Sequence, residues 1–171
     1  IGWDAPEARA WPVGQALELA APLRDQYKTT GRLIRAFMAQ GPRNLDIAMR
    51  EKPLAEGSPL ARSHGLRYPI FQGPMTRVSD SAKFAGAVSQ AGGMPFLALA
   101  LMSGEQSQKL LEETRALAGE RPWGVGLLGF IPKELRDKQT EAVLKIKPPL
   151  ALIAGGRPDQ AAVFEKEGIA T

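Results

Sequence analysis

Four short apolar runs recur along the sequence at a nearly constant interval, and this recurrence restricts the fold more than any other feature. Their residues Ile70, Leu97, Val125 and Leu152 are separated by 27, 28 and 27 positions. Each run is apolar on both faces and is followed by a stretch of helical periodicity, which is typical of a parallel sheet with helical crossovers. The predicted strands lie at residues 70–71, 96–99, 125–128 and 150–153, and a fifth run begins at Ile169.

The segments between the runs carry helix start and stop signals. Ser103 and Gln106 form a capping box, and Gly119 closes the helix that they begin. Pro132 and Pro158 are the predicted first residues of the two later helices, because proline lacks only an N–H that is unpaired at that position. These signals favour strict alternation of strand and helix.

The loop after the first run, residues 72–78, occupies a special place in such an alternation. Gly73 and Pro74 end the strand, and Ser79 or Asp80 is predicted to cap the next helix. The apolar face of that helix is predicted to consist of Phe84, Val88 and Ala91. In a parallel sheet this loop lies beyond the carboxyl end of its strand, which is the edge where α/β enzymes bind ligands.

The number of repeats sets the predicted fold class. A complete (β/α)₈ barrel needs about 250 residues, whereas residues 66–171 hold four βα units and the start of a fifth. We therefore predict an α/β fold, the N-terminal half of a TIM (β/α)₈ barrel of about four βα units, preceded by a helical N-terminal segment. The predicted domains are a helical segment with its linker at residues 1–65 and a partial barrel at 66–171. A small open-sheet α/β domain is the alternative.

The first 65 residues have a different rhythm. Residues 1–12, with Trp3 and Trp11, are predicted to be a linker or a docking arm. Two helical stretches follow, the second beginning at Pro22, and the pair at 41–42, glycine then proline, is predicted to end it. A short third helix is predicted around residues 45–49.

Composition excludes several classes of function. Lysine and arginine exceed aspartate and glutamate by only 22 to 18, and the charges interleave, so we expect solvated helix faces and no nucleic-acid partner. The absence of cysteine excludes disulfides, thiolate metal sites and a cysteine nucleophile, and it fits a reducing, cytoplasmic location. No apolar run is long enough to span a bilayer, so we expect no membrane partner.

Three motifs in order resemble the opening of a known barrel family. They are Tyr68-Pro-Ile-Phe-Gln-Gly-Pro-Met75, Phe84-Ala-Gly-Ala-Val-Ser-Gln-Ala-Gly-Gly93 and Pro122-Trp-Gly-Val-Gly-Leu127. Together they resemble the FMN-dependent nitronate monooxygenases, formerly called 2-nitropropane dioxygenases. Relatives of this family include enoyl-reductase components of polyunsaturated-fatty-acid and polyketide synthases. The resemblance covers about residues 66–171.

This resemblance implies FMN as the cofactor and a set of residues that line it. The loop after the first strand is implied to pass its backbone against the flavin ring, and Gly73 would let the main chain approach a flat surface. Gly126 stands where many family members carry an asparagine that reaches the cofactor. Small residues at the end of the fourth strand are implied to lie near the ring or the substrate. The implied cofactor-binding residues are Gln72, Gly73, Pro74, Met75, Thr76, Gly126, Ala154 and Gly155.

The catalytic residue is not identified in this sequence. The family's catalytic histidine lies in the second half of its barrel, so the resemblance implies a catalytic base beyond Thr171. His64, the only histidine, precedes the first strand and matches no family position. We therefore expect part of a flavin site and no activity from this stretch alone.

The implied partners are a small-molecule or carrier-bound acyl substrate, reduced nicotinamide, the remainder of the barrel and other synthase domains. Two alternatives stay open. The first is a non-catalytic docking or structural module of a megasynthase with a vestigial flavin site, which the departure at Gly126 favours. The second is a barrel isomerase or aldolase acting on a phosphate ligand, which the lack of a lysine or acid at a strand end disfavours.

Overall fold

The structure is a computed structural model that describes residues 14–171, and the chain divides into two compact units between Glu51 and Lys52. The arm predicted for residues 1–12 lies outside the described residues. The first unit contains a 3₁₀ turn at Gln15–Leu19, helix α1 at Ala20–Tyr27 and helix α2 at Thr30–Glu51. The elements of the second unit are α3 Pro59–Ser63, β1 Phe71–Gln72, α4 Ala82–Ala91, β2 Met94–Ala98, α5 Gly104–Ala118, β3 Gly124–Leu128, α6 Lys133–Ile146, β4 Leu150–Ala154 and α7 Pro158–Glu165.

The four strands form one parallel sheet in the order β1-β2-β3-β4. Phe71 pairs with Met94, Ala98 pairs with Gly126, and Gly126 pairs with Leu152, all in parallel register. The predicted fifth run begins beside β4, where Ala170 forms a parallel bridge with Leu150. The α/β prediction, with four βα units in sequential order, is confirmed. The functional division at residues 65 and 66 stays a prediction.

Successive residues of each strand point to opposite faces of the sheet, and the two faces have different partners. On the outer face, Leu97, Val125 and Leu127 pack with Leu111 of α5 and Val143 of α6 in the main core. On the inner face, a smaller cluster joins strand residues to α3 and the segment after it, namely Ala61, Leu66, Met94 and Phe96 with half-buried Leu150. Helices α4 to α7 thus cover the outer face of the sheet, as in half of a barrel wall, while α3 packs on the inner face.

The capping signals read from the sequence hold in most places. Ser103 and Gln106 form a reciprocal capping box at the start of α5, and Gly119 lies at its C-cap. Pro158 is the first residue of α7, whereas Pro132 is the N-cap of α6 and lies one residue outside the helix. Helix ends are the part of a helix that sequence patterns locate least well.

Several local predictions are wrong, and the first is the start of the second helix at Pro22, since Pro22 is the third residue of α1 and the next helix begins at Thr30. Helix α2 runs through Pro42, although glycine and proline at 41–42 were predicted to end it, and the predicted third helix is its continuation. The N-cap of α4 is Ser81, since Ser79 is buried in the preceding loop. The buried face of α4 consists of Ala82, Ala85, Gly86 and Ser89, whereas Phe84 and Val88 are half-buried and Ala91 is exposed.

The correction on α4 has a steric reason. A Cβ built on Gly86 would meet Leu117 of α5 at 3.6 Å, so the two helices approach closely along this line. Small side chains allow that approach, and the larger side chains of α4 lie beside the line of contact. The apolar residues alone therefore misled the prediction of the face.

Candidate active site

The loop after β1 is a compact turn held by Ser79. The N–H of Met75 donates to Ser79 Oγ over 2.7 Å, and both the hydroxyl and the N–H of Ser79 donate to the carbonyl of Met75, over 3.2 and 2.9 Å. Arg77 adopts a left-handed conformation, with φ of 64°, which closes the turn. The turn is therefore held by three hydrogen bonds between Met75 and Ser79, while the Met75 side chain is 53% exposed.

The same loop is attached to the sheet at its far end. The carbonyl of Ser79 accepts a hydrogen bond of 2.8 Å from the N–H of Ala98, the last residue of β2. Ser79 is only 1% exposed and extends the ladder of β2 toward the loop. The turn at 75–79 thus lies at the carboxyl edge of the sheet, where the sequence predicted it.

Pro74 crosses in front of β2 and rests on β3. A Cβ built on Gly126 would lie 2.3 Å from both Cβ and Cγ of Pro74, far inside van der Waals contact. Pro74 and Gly126, two of the residues predicted for the site, are therefore brought into direct contact. The asparagine that the resemblance leads one to expect at 126 has no room there.

Gln72 lies at the end of β1 and uses its side chain on the backbone. Its Oε1 accepts a hydrogen bond of 3.3 Å from the N–H of Phe96, and its Nε2 donates to the carbonyl of Gly73. These bonds tie the start of the loop to β2. The space beside Gly73 is open, since no atom lies within 4 Å of a Cβ built there.

The remaining predicted residues, Ala154 and Gly155, lie at the end of β4, on the opposite side of the sheet from β1. Ala154 is the last residue of β4, and its carbonyl accepts from the N–H of Gly129 over 2.9 Å. Gly155, with φ of 62°, lies under the ring of Phe130, which would be 2.8 Å from an added Cβ. Both belong to the carboxyl edge, but the glycine is already covered by a side chain of this chain.

Sequence reasoning missed two glutamines that hold the loops of this edge. Gln139 of α6 is fully buried, and its Nε2 donates to the carbonyls of Ala100 and Met102 over 3.0 and 2.8 Å. Gln160 of α7 donates to the carbonyl of Gly129 over 3.0 Å and accepts from the N–H of Arg157 over 2.8 Å. Each helix thus holds the loop that precedes or neighbours it, and only the placement of a polar residue among apolar helix positions hinted at this role.

One ion pair lies near the edge. Arg157 contacts Asp159 through two hydrogen bonds of 2.9 and 2.8 Å, and the hydrogen bond from Arg157 holds the pKa of Asp159 below its ordinary value. His64 lies elsewhere, at the end of α3, with its ring edge-on to Phe71 at 5.0 Å. It takes no part in the carboxyl edge.

Several cavities adjoin the strands and helices in the described part of the chain, among them one of about 290 Å³ at the carboxyl ends of β3 and β4, lined by residues that include Leu128, Gly129 and Arg157. Another of about 390 Å³ lies on the inner face of β4 and is lined by residues that include Phe96, Leu152 and Gly156. A larger one of about 720 Å³ lies between α4 and α5 and is not lined by the loop 73–76. We place the candidate site at the carboxyl edge because parallel sheets present their loops and free backbone groups there.

The arrangement defines a parallel α/β protein of the barrel type, with its candidate site on the loops that follow the strands. A family model described as nitronate monooxygenase matches residues 57–158. The chain belongs to the nitronate monooxygenase family, a family of oxidoreductases, and the recognition made from the sequence is confirmed.

Individual relatives agree with this assignment. The chain is 34% identical over 94 residues to a nitronate monooxygenase of Pseudomonas aeruginosa, an alignment that covers 55% of this chain and 26% of the relative. This chain thus spans about a quarter of the length of that protein.

Two solved structures support the fold. FabK from Thermotoga maritima matches with a TM-score of 0.55 and 22% identity, over 64% of this chain and 34% of FabK. The enoyl reductase domain of MlnA from the macrolactin biosynthesis cluster of Bacillus amyloliquefaciens matches with a TM-score of 0.52 and 18% identity, over 60% of this chain and 24% of that one. The partial-barrel prediction is confirmed.

Among residues 14–171, no helix combines the length and the apolar character needed to cross a bilayer.

Proposed function

We propose that this chain forms the first part of the FMN-binding barrel of an oxidoreductase. The observation that carries the proposal is the loop at 73–76, which stands at the carboxyl edge with open space beside Gly73. A planar ring needs a stretch of backbone that it can approach closely, and only a residue without Cβ provides this at no steric cost. Family membership supports the same reading.

The residues of this chain would bind and orient the cofactor. The backbone N–H groups of Gly73 and Thr76 would face the polar edge of a flavin, since the carbonyl of Gly73 already accepts from Gln72, while Ser79 keeps Met75 in place. Ala154 and Gly155 complete the same edge from β4, and Gln72 fixes the start of the loop. When bound, FMN supplies the two-electron redox chemistry, and the protein supplies position and electrostatics.

The reaction class follows from the family and divides into two candidates. In the first, the complete protein oxidises a nitronate and passes the electrons to oxygen. In the second, it reduces the double bond of a carrier-bound enoyl substrate at the expense of reduced nicotinamide. The catalytic base belongs to the part of the barrel beyond these residues in both. We propose cytoplasmic action within a polyketide or lipid synthase, together with the remainder of the barrel.

A visible spectrum tests the proposal. The full-length polypeptide that contains this chain should carry flavin absorption when purified. Bleaching by reduced nicotinamide under anaerobic conditions favours the reductase, and bleaching by a nitronate alone favours the oxidase. A colourless protein that stays colourless after incubation with FMN would favour the docking module.

A single substitution tests where the ring lies. Gly73→Ala adds a methyl group in open space at a residue without positive φ, so we expect an unchanged Tm. If the ring lies against this backbone, the same variant binds FMN about tenfold more weakly, measured by quenching of flavin fluorescence. Gly41→Ala, also in open space but in α2, is the matched control and should leave FMN affinity unchanged. Equal FMN affinity of Gly73→Ala and wild type would show that the flavin does not lie against this loop.

A further inference from the structure

Gly126 is enclosed by protein on the face where the resemblance expects a cofactor contact. It lies in the middle of β3, is buried, and pairs with Ala98 on one side and Leu152 on the other. An added Cβ would be 2.3 Å from two atoms of Pro74 and 3.4 Å from the carbonyl oxygen of Leu97. The space that a side chain at residue 126 would fill is therefore occupied by the ring of Pro74.

The overlap cannot be relieved by rotating a side chain. The ring of Pro74 is bonded to its own backbone nitrogen, so a group at 126 must displace the main chain of the loop. The next residue, Met75, is fixed by its hydrogen bonds with Ser79. Ser79 is in turn bonded to Ala98, the ladder neighbour of Gly126. The loop is thus held to the sheet at two adjacent points, one of contact and one of hydrogen bonding.

The outer side of the loop is free, in contrast to its inner side. Gly73 has open space around its α-carbon, and the side chains of Thr76 and Arg77 are exposed. The height of the loop above the sheet therefore depends on how deeply Pro74 settles on β3. That depth is set by the absence of a side chain at 126.

We propose that Gly126 is a positioning residue that acts on the flavin site through Pro74. Because Gly126 has no side chain, the ring of Pro74 packs directly against its α-carbon. The position of the ring in turn determines the position of the backbone from Gly73 to Thr76. This inference rests on the proposed function, because that backbone is the part that would meet the flavin. It differs from a direct contact between residue 126 and the cofactor.

A set of five variants of the full-length protein tests the proposal. Gly126→Ala adds the clashing atom, and Pro74→Gly removes both atoms that it would strike. Pro74→Ala is the matched control, because it keeps the Cβ that lies 2.3 Å from the added methyl group. The double variants Gly126→Ala with Pro74→Gly, and Gly126→Ala with Pro74→Ala, complete the set. FMN affinity, the flavin absorption maximum and Tm are measured for each.

We expect Gly126→Ala to bind FMN about tenfold more weakly, to shift the absorption maximum and to lower Tm by about 5 °C. The double variant with Pro74→Gly should match Pro74→Gly alone, because the clashing atoms are gone, whereas the double variant with Pro74→Ala should lose more than Pro74→Ala alone. If Gly126→Ala alone does not fold, recovery of folded protein by Pro74→Gly and not by Pro74→Ala supports the proposal equally.

Normal FMN affinity in Gly126→Ala would overturn the proposal, as would a loss from Gly126→Ala that is equally large in the Pro74→Gly background. If wild type binds no flavin, the proposed function fails, and with it the role of Gly126 toward flavin. The Tm values of the same set would then still report whether Pro74 and Gly126 are coupled, so the two failures are distinguishable.

Discussion

The two units of the chain differ in where their apolar side chains lie. In α1 and α2 no residue is buried, and Met38 and Leu45 expose about two thirds or more of their surface, at 72% and 66%. In the α/β unit, Leu97, Leu99 and Leu111 are completely buried between sheet and helices. The first unit is therefore built by local helical preferences, and the second by contacts between residues far apart in sequence.

The difference in burial indicates which interactions stabilise each unit. Most of the stability of a helix in a protein comes from packing of an apolar face, because local propensity alone is marginal. The described residues of α2 show an apolar stripe without such burial. We therefore expect substitutions of the same kind to have large effects in the α/β unit and small effects in the helical one.

The largest effect is expected from truncation of the core. Leu97→Ala removes a fully buried side chain and should lower the free energy of unfolding by about 2–5 kcal/mol. Leu45→Ala is the same substitution at an exposed position in α2 and should change it by less than about 0.5 kcal/mol.

Fluorescence of Trp123, which is buried beside β3, reports unfolding of the α/β unit. The other two tryptophans are replaced by phenylalanine for this measurement. Similar losses from both leucine substitutions would mean that α2 shares the core, and the comparison between the units would fail.

The parallel sheet was predictable from sequence because the signal is repeated. Four apolar runs at constant spacing, each followed by a helix, allow few arrangements other than a parallel sheet. The capping box of Ser103 and Gln106 was predictable because both of its hydrogen bonds are local. A signal that is repeated along the chain, or that two residues give reciprocally, was therefore reliable.

Predictions failed where solvent or close packing overrides the local pattern. Pro42 deprives the carbonyl of Met38 of its helical partner, yet α2 continues because Met38 is exposed and water can hydrate that carbonyl. The face of α4 was wrong because small residues, and not large ones, are placed at its close contact with α5. Neither cause is visible in the spacing of apolar residues.

The candidate site was only partly predictable for the same reason. The loop after β1 was found from its motif, and its position at the carboxyl edge followed from the parallel order of the strands. Pro74 and Gly126 are in contact although they are 52 positions apart in the sequence, and no local signal marks this contact. The clamp made by Gln139 is equally non-local, since it reaches back to Ala100 and Met102.

The second largest effect should come from the buried clamp. Gln139→Met keeps the shape of the side chain but leaves the buried carbonyl of Ala100 and the half-buried carbonyl of Met102 without this donor, so we expect a loss of about 1–3 kcal/mol. Gln40→Met removes an exposed hydrogen bond to Asn44 in α2 and should cost less than about 0.5 kcal/mol. Denaturant unfolding measures both. Equal costs would show that the burial of Gln139 does not determine its contribution.

A smaller effect is expected from the helix caps. Ser103→Ala removes the acceptor for the N–H of Gln106 and should destabilise the α/β unit by about 1 kcal/mol. Thr29 accepts from the N–H of Arg32 at the start of α2, so Thr29→Ala removes a bond of the same kind. We expect Thr29→Ala to reduce helical circular dichroism without moving the Trp123 transition. Movement of that transition would indicate that the two units unfold together.

The smallest effect concerns ion pairs. In the described part of the helical unit, Arg50 pairs with its neighbour Glu51, whereas Lys147 pairs with Glu167 across 20 residues at 2.7 Å. The hydrogen bond from Lys147 holds the pKa of Glu167 below its ordinary value. Because this pKa is lower in the folded than in the unfolded state, the pair stabilises the fold at neutral pH. That contribution is lost as the pH falls below about 4, through the lowered pKa.

Carboxyl titration by NMR should show that Lys147→Gln raises the pKa of Glu167 toward its ordinary value. Lys145→Gln removes the same charge two residues away and should leave most of the shift in place, because the hydrogen bond is its largest cause. Salt should weaken the shift, since both partners are about half exposed. Arg50→Gln should leave the acid stability of the α/β unit unchanged, because a pair of adjacent residues in α2 joins no distant parts of the chain. If Lys145→Gln matched Lys147→Gln, the shift would reflect the general charge of α6, and the contrast between local and long-range pairs would not extend to electrostatics.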